Sequence, residues 1–271
     1  MRLKHLIKLA TASLAPDTTL RLLSMRSRRL IERQAVLLGL DELARSVSRH
    51  VGSRVASGPF KGTVLDYEAL PVHTAPKLLG TYEKEIASFI EDAIVRRPKT
   101  IINIGTSDGY YSVGLAKRLP EATIFASDAD SKSLAATMRN AELNAVADRL
   151  VPIGILNPGG LGGFLKERHS LVVMDCEGAE FELLDPKRDP SLLAADIIVE
   201  IHEGFGDPFE LAQRFTLTHT INRARPAARL ASNMPIDIPG VDPCAAMDER
   251  RSEQSWLYLR TMHTERKPRT L

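Results

Sequence analysis

The residues with the clearest chemical potential are acids and one histidine at the ends of apolar runs. Leu171-Val172-Val173-Met174 leads straight into Asp175-Cys176-Glu177-Gly178-Ala179-Glu180. An apolar strand would deliver these carboxylates to its carboxyl end, where burial is costly unless they are solvated, paired or used. Acids there also suit a helix N-terminus through its dipole, so capping is the competing account. Ile198-Val199-Glu200-Ile201-His202-Glu203 repeats the pattern. Side chains alternate along a strand, so Glu200 and His202 share a face. An imidazole titrates near neutrality and can take a hydroxyl proton. The expectation is that Asp175, Glu177, Glu200 and His202 converge, with His202 as general base and Asp175 or Glu177 orienting it or the acceptor. A divalent metal held by the same acids and His202 ranks second, because mixed oxygen and imidazole ligands suit magnesium or manganese less well.

A third stretch, Ile101-Ile102-Asn103-Ile104-Gly105-Thr106-Ser107-Asp108-Gly109-Tyr110-Tyr111, reads as a buried strand, a turn and the start of a helix. Gly105 would let the backbone pass close to a ligand, and Gly109 permits a tight helix entry. In doubly wound sheets, ligands bind beyond the carboxyl ends of the strands at such a turn. The spacing is G-x-x-x-G, not the dinucleotide G-x-G-x-x-G, and no lysine follows Gly109 as a phosphate loop requires. Asp108 would repel phosphates. A cofactor that lacks phosphates and carries positive charge fits better, and S-adenosylmethionine, with its sulfonium and ammonium, is one. Nineteen residues after Gly109, Ser127-Asp128-Ala129-Asp130 ends the next strand. An acid there can accept both ribose hydroxyls, although Asp128 or Asp130 could also serve as a helix cap.

The elements that must position these residues follow from periodicity. Apolar runs at Thr100–Ile104, Ala122–Ser127, Leu150–Leu156, Leu171–Met174 and Ala195–Ile201 alternate with helical segments, among them Ser131–Asn144. A glycine-rich turn and a further helix are expected between the third and fourth strands. That alternation predicts a parallel sheet with helices on both faces. A helix is expected over Thr81–Val95, capped by Thr81 and burying Tyr82, Ile86, Ile90 and Ala93. Thr63–Tyr67 reads as a short strand. After Phe215 the alternation breaks: Thr216–Asn222 and Glu253–Arg260 read as strands. Between them, residues 223–252 form a Pro-, Asn-, Asp- and Arg-rich loop long enough to be an active-site flap.

Composition is that of a soluble globular protein, with 44% hydrophobic and 26% charged residues, which excludes wholesale disorder. Two cysteines, Cys176 and Cys244, exclude a cysteine-rich zinc module. No stretch approaches eighteen apolar residues, so no spanning helix is predicted. Residues 1–50 are basic, with net charge +6, while the remainder carries −4 of the overall +2. Val36, Leu40, Leu43 and Val47 recur on one helical face. Lys4 and Lys8 interrupt the apolar run that a secretion signal needs, so a cytoplasmic protein is expected. The basic helices read first as a cap on the body and second as a membrane-surface contact. Nucleic-acid binding ranks last, because no aromatic residue interleaves with the arginines.

Taken in order, INIGTSDGYYS, SDAD, DCEGAE and VEIHE resemble the FkbM-type methyltransferases over about residues 80–205, and more loosely to Trp256-Leu257-Tyr258-Leu259. Gly80-Thr81-Tyr82-Glu83 resembles a stretch before the first strand of relatives in surface-glycan gene clusters. The resemblance implies a Rossmann-like methyltransferase sheet, mostly parallel with an antiparallel C-terminal hairpin. It implies methyl transfer from S-adenosylmethionine to an acceptor oxygen, on a sugar or another small-molecule hydroxyl. Gly105, Thr106, Ser107 and Gly109 would wrap the methionine part, with Tyr110 beside them. Asp128, followed by Ala129, would hold the ribose. Residues 153–156 would approach the adenine, Asp175 would face the transferred methyl group, and Glu83 or Tyr82 would close over the carboxylate end. Asp128 stands where the family often has Glu, and Ala129 where it often has Pro. The implied layout is a helical basic extension over 1–56, a linker over 57–74, the methyltransferase domain over 75–262 and a disordered tail over 263–271. A nucleic-acid methyltransferase and a catalytically silent cofactor-binding module are the rival readings.

Overall fold

The computed structural model describes residues 39–66, 71–165, 169–249 and 254–262. The basic arm before residue 39, including Val36 of the expected helix, and the expected tail lie outside the described residues. Helix α1 (Leu40–Val51) comes first, then α2 (Pro71–Leu79) and α3 (Ala87–Val95). Next are β1 (Thr100–Ile104), α4 (Tyr110–Arg118), β2 (Thr123–Ser127), α5 (Ser131–Leu143), β3 (Leu150–Ile153) and β4 (Ser170–Met174). They are followed by α6 (Glu180–Leu183), β5 (Ala195–His202), α7 (Pro208–Gln213), β6 (His219–Ala224), α8 (Pro243–Ala246) and β7 (Gln254–Thr261).

The seven strands form one sheet in the order β3-β2-β1-β4-β5-β7-β6. Strands β1 to β5 are mutually parallel, and β7 runs antiparallel between β5 and β6. This is the expected sheet, mostly parallel with an antiparallel C-terminal hairpin. It is buried on both sides because its strands alternate between two apolar layers. One layer joins Ile101, Leu171, Val173 and Ile198 to Val47 of α1, Leu78 of α2, Ile90 of α3 and Val113 of α4. The other joins Ile102, Val172, Met174 and Val199 to Leu183 of α6, Leu211 of α7 and Phe215.

Three expected elements differ in kind or start, and two strands shift: β3 stops at Ile153 instead of Leu156, and β6 runs His219–Ala224 instead of Thr216–Asn222. The helix expected from Thr81 starts only at Ala87, after a 3₁₀ turn at Lys84–Ile86. Thr81 does not cap it, since its hydroxyl donates back to the Pro76 carbonyl. The strand expected from Thr63 is reduced to a single bridge between Arg54 and Val64. Its backbone is satisfied by side chains: the Asn144 amide bonds both Val64 N–H and C=O, and Asn140 accepts from Asp66 N–H. Between β3 and β4, the described residues hold only a 3₁₀ turn at Leu161–Gly163. Glycines at 159, 160, 162 and 163 make a longer helix entropically expensive, and the Asp189 carboxylate takes the Leu161 and Gly162 N–H groups.

The segment after β6 is packed, not loose. Ile238, Ala246 and Met247 are buried in the larger core layer. Arg229 ties the segment down, bonding both Glu85 and Glu249, all with side chains about nine-tenths buried.

Candidate active site

Strand register places the candidate residues. Ile104 of β1 pairs with Ser127 of β2 and Met174 of β4, and Met174 pairs with Val199 of β5. The next residue of each strand is therefore Asp128, Gly105, Asp175 and Glu200, four neighbours along the carboxyl rim of the sheet. His202 lies two residues further along β5, on the Glu200 face.

Gly105 has φ 77°, and a Cβ built on it would lie 1.6 Å from the Asp175 carbonyl oxygen. The expected close approach is thus to the β4 backbone, so the glycine locks two strand ends together. Gly109, at φ 85°, begins α4 against Thr137 of α5. Between them the Thr106 hydroxyl pairs with Ser112, whose hydroxyl donates to Asn103. Ser107 adopts a left-handed φ of 53°, and its N–H donates to Asp128 Oδ2 at 2.9 Å. The other Asp128 oxygen accepts from Asp130 N–H. Asp130 itself caps α5 through Lys132 N–H. The two acids divide the work: Asp130 caps, and Asp128 binds the glycine turn to the end of β2. Ala129 between them is half-buried. Ser127 of β2 donates to the Gly154 carbonyl, fixing the segment after β3.

Asp108 does not face a ligand as an unpaired charge, contrary to expectation. It is buried against Lys77 of α2 at 2.8 Å and accepts from Tyr110 N–H. The Lys77 ammonium also lies 5.0 Å from the Tyr82 ring centroid. Sequence reasoning missed Lys77, a cation thirty-one residues away with no local signature. Glu83 is buried and left-handed, at φ 48°. Its N–H donates to the Glu249 carboxylate, and its own carboxylate accepts from the Tyr111 hydroxyl. Burial, then the Glu83 charge, holds that hydroxyl well above its ordinary pKa, so it remains a donor.

At the other end of the rim, His202 is buried among three carboxylates. Its Nδ1 lies 3.1 Å from Glu180 Oε1, which also accepts from the His202 backbone N–H at 2.8 Å. Asp175 Oδ1 and Glu177 Oε2 lie 3.7 and 3.6 Å from Nε2. The structure therefore brings Asp175, Glu177, Glu200 and His202 together. It gives the orienting contact to Glu180, however, and not to Asp175 or Glu177. Glu180 stood in the quoted motif, but nothing in the linear spacing ties it to His202 on the next strand.

The electrostatics follow from this crowding. Burial, then Glu83 and Glu177, pushes the Asp175 carboxyl up to about 6. Its Oδ1 is sealed from solvent, although the side chain as a whole keeps a third of its exposure. Burial works against charge on His202, but the Glu180 hydrogen bond and the surrounding carboxylates outweigh it and raise its pKa. Glu180 is likewise opposed by burial and held below its usual range by its bonds to His202. Glu83, Ser107 and Glu177 all hold positive φ without being glycine. Backbone strain of this kind clusters at functional sites.

No family model matches the chain. Over 56 residues it is 43% identical to the release factor glutamine methyltransferase of Flavobacterium psychrophilum, spanning 21% of this chain and 20% of that protein. The chain thus matches one-fifth of the length of this curated relative. Among solved structures, it is similar to the O-methyltransferase TomG of Streptomyces achromogenes, solved in complex with SAM. The identity is 14% and the TM-score 0.44, over 86% of this chain and 96% of that one. It is also similar to precorrin-6y C5,15-methyltransferase of Geobacter metallireducens, at 10% identity and TM-score 0.42, over 64% and 86% of the two chains. Among the described residues, no helix is long and apolar enough to cross a membrane.

Proposed function

We propose that this chain transfers the methyl group of S-adenosylmethionine to an acceptor oxygen, as an FkbM-type methyltransferase. The single observation that carries the reading is the register row of Asp128, Gly105, Asp175 and Glu200 along one sheet rim. This row joins a glycine turn, an acid suited to ribose and an acidic reaction end. The donor set fits the cofactor: Glu83, Asp128 and Asp175 favour a cation, and the nearby Lys77 is already neutralised by Asp108. A pyrophosphate would meet these carboxylates unscreened.

When bound, S-adenosylmethionine supplies an electrophilic methyl group on a sulfonium. The chain's task is alignment and proton removal. Asp128, held from the turn side by Ser107, keeps the end of β2 against the ribose position. Gly105 and Gly109 allow the turn to fold back tightly beside it. Asp175, Glu177 and His202 form the acid–base rim that takes the acceptor's proton. The acidic rim repels a phosphate backbone, which weighs against nucleic acid and favours a neutral hydroxyl such as that of a sugar or other small molecule.

Calorimetry with S-adenosylmethionine and its demethylated product tests the cofactor assignment. Both should bind. Asp128→Ala should lose about tenfold or more in affinity. Asp128→Asn, which can still accept from Ser107 N–H, separates loss of the ribose contact from loss of the turn. Tight NAD binding with no S-adenosylmethionine binding would overturn the assignment.

A further inference from the structure

The rim holds two buried potential ligand atoms that make no hydrogen bond. His202 Nε2 and Asp175 Oδ1 are buried, make no hydrogen bond, and lie 3.7 Å apart. The His202 side chain is 92% buried, by its 8% exposure, and aims Nε2 into the acidic cluster. Glu200, also buried, completes a group whose ligand atoms all lie within 4.8 Å of one another.

We propose that Asp175, Glu200 and His202 bind a divalent transition-metal ion. A proton on Nε2 would reach no acceptor, because the nearest carboxylate oxygens lie 3.6 and 3.7 Å away. An ion about 2.1 Å from each of two ligands separated by this distance subtends an ordinary coordination angle of roughly 120°. Glu180 supplies the outer support that metal-binding histidines need. It accepts the Nδ1 proton, which fixes the tautomer with a bare Nε2 lone pair and sets the ring orientation. Three protein ligands of mixed oxygen and imidazole character leave positions open, as a catalytic ion requires.

This inference rests on the methyl-transfer reading for its chemical role. With Asp175 and His202 engaged by the ion, the base of the rim would be Glu177, largely exposed beside Nε2, which would take the proton of an acceptor hydroxyl polarised there. The oxygen forms its bond to the methyl carbon as the carbon–sulfur bond breaks, and that electron pair stays on sulfur as a neutral thioether.

The test is a titration of the full chain, stripped with a chelator and dialysed, with Mn²⁺ followed by electron paramagnetic resonance. One saturable site per chain is expected. His202→Ala and Glu200→Gln should each abolish it. Glu180→Gln, which keeps the ligands but weakens ring orientation, should reduce affinity by about 10–100-fold. Circular dichroism on each variant separates lost ligands from lost fold. Mn²⁺ should also raise the wild-type melting temperature, since it binds only the folded state. No saturable site at millimolar Mn²⁺ in wild type, or unchanged binding in a folded His202→Ala variant, would overturn the proposal. S-adenosylmethionine binding by the same stripped protein reports on methyl transfer separately. A chain that binds cofactor but not Mn²⁺ refutes the metal site alone.

Discussion

A methyl group cannot be added at Gly105 without moving the neighbouring strand. Its Cβ would sit 1.6 Å from the Asp175 oxygen, in a left-handed conformation. Gly105→Ala should therefore cost about 3 kcal/mol or more, read as a lower denaturant midpoint with little change in slope. His202 makes a different kind of prediction. Its ring is fixed by Glu180 and its Nε2 faces the reaction end. His202→Ala should lower turnover by roughly 10²–10⁴ while leaving S-adenosylmethionine affinity nearly unchanged. A variant with equal loss in cofactor affinity would place His202 in binding instead of chemistry.

At the scale of elements, the contact between the segment after β6 and the turn before α3 is the one most open to perturbation. Arg229 bridges Glu85 and Glu249, and Glu249 accepts from Glu83 N–H. Removing the arginine takes the neutralising guanidinium away from two nearly buried carboxylates, so Arg229→Ala should cost about 3 kcal/mol, measured by chemical denaturation. Burial opposes charge on Glu85, yet the Arg229 hydrogen bond, backbone N–H bonds including that of Ala227, and the Arg229 charge together outweigh it and keep the folded pKa below the ordinary 4.5. Its stabilising contribution is thus complete above about pH 4.5 and is lost as pH falls through the lower folded value. Arg229→Ala should flatten that acid-side decline. An unchanged pH profile would mean that the bridge adds no stability.

The parallel strands were legible because each is an apolar run closed by a turn residue or acid: Thr100–Ile104, Leu171–Met174 and Ala195–Ile201 all recur as strands within one residue at either end. Legible too was the convergence of Asp175, Glu177, Glu200 and His202, since period-two alternation and parallel pairing send them to one rim. The pairings that decide the site's charge were not legible. Lys77 with Asp108 and Glu180 with His202 are through-space contacts between separate elements. A linear pattern holds no sign of either. The helix over Thr81–Val95 was misread for a related reason. Its apolar spacing continues through Tyr82 and Ile86, but Glu249 fixes the Glu83 backbone in a left-handed turn that spacing cannot report.

For the whole molecule, the central claim is methyl transfer to an oxygen of an acceptor that is not a nucleic acid. Its most direct measurement is incubation of the full chain with S-adenosylmethionine labelled in the methyl group and a fractionated cell extract supplemented with Mn²⁺. Base-stable label is expected in the glycan or small-molecule fraction, dependent on Asp128 and His202. Label confined to RNA, DNA or protein, or no enzyme-dependent label in any fraction from a protein that binds the cofactor, would contradict it.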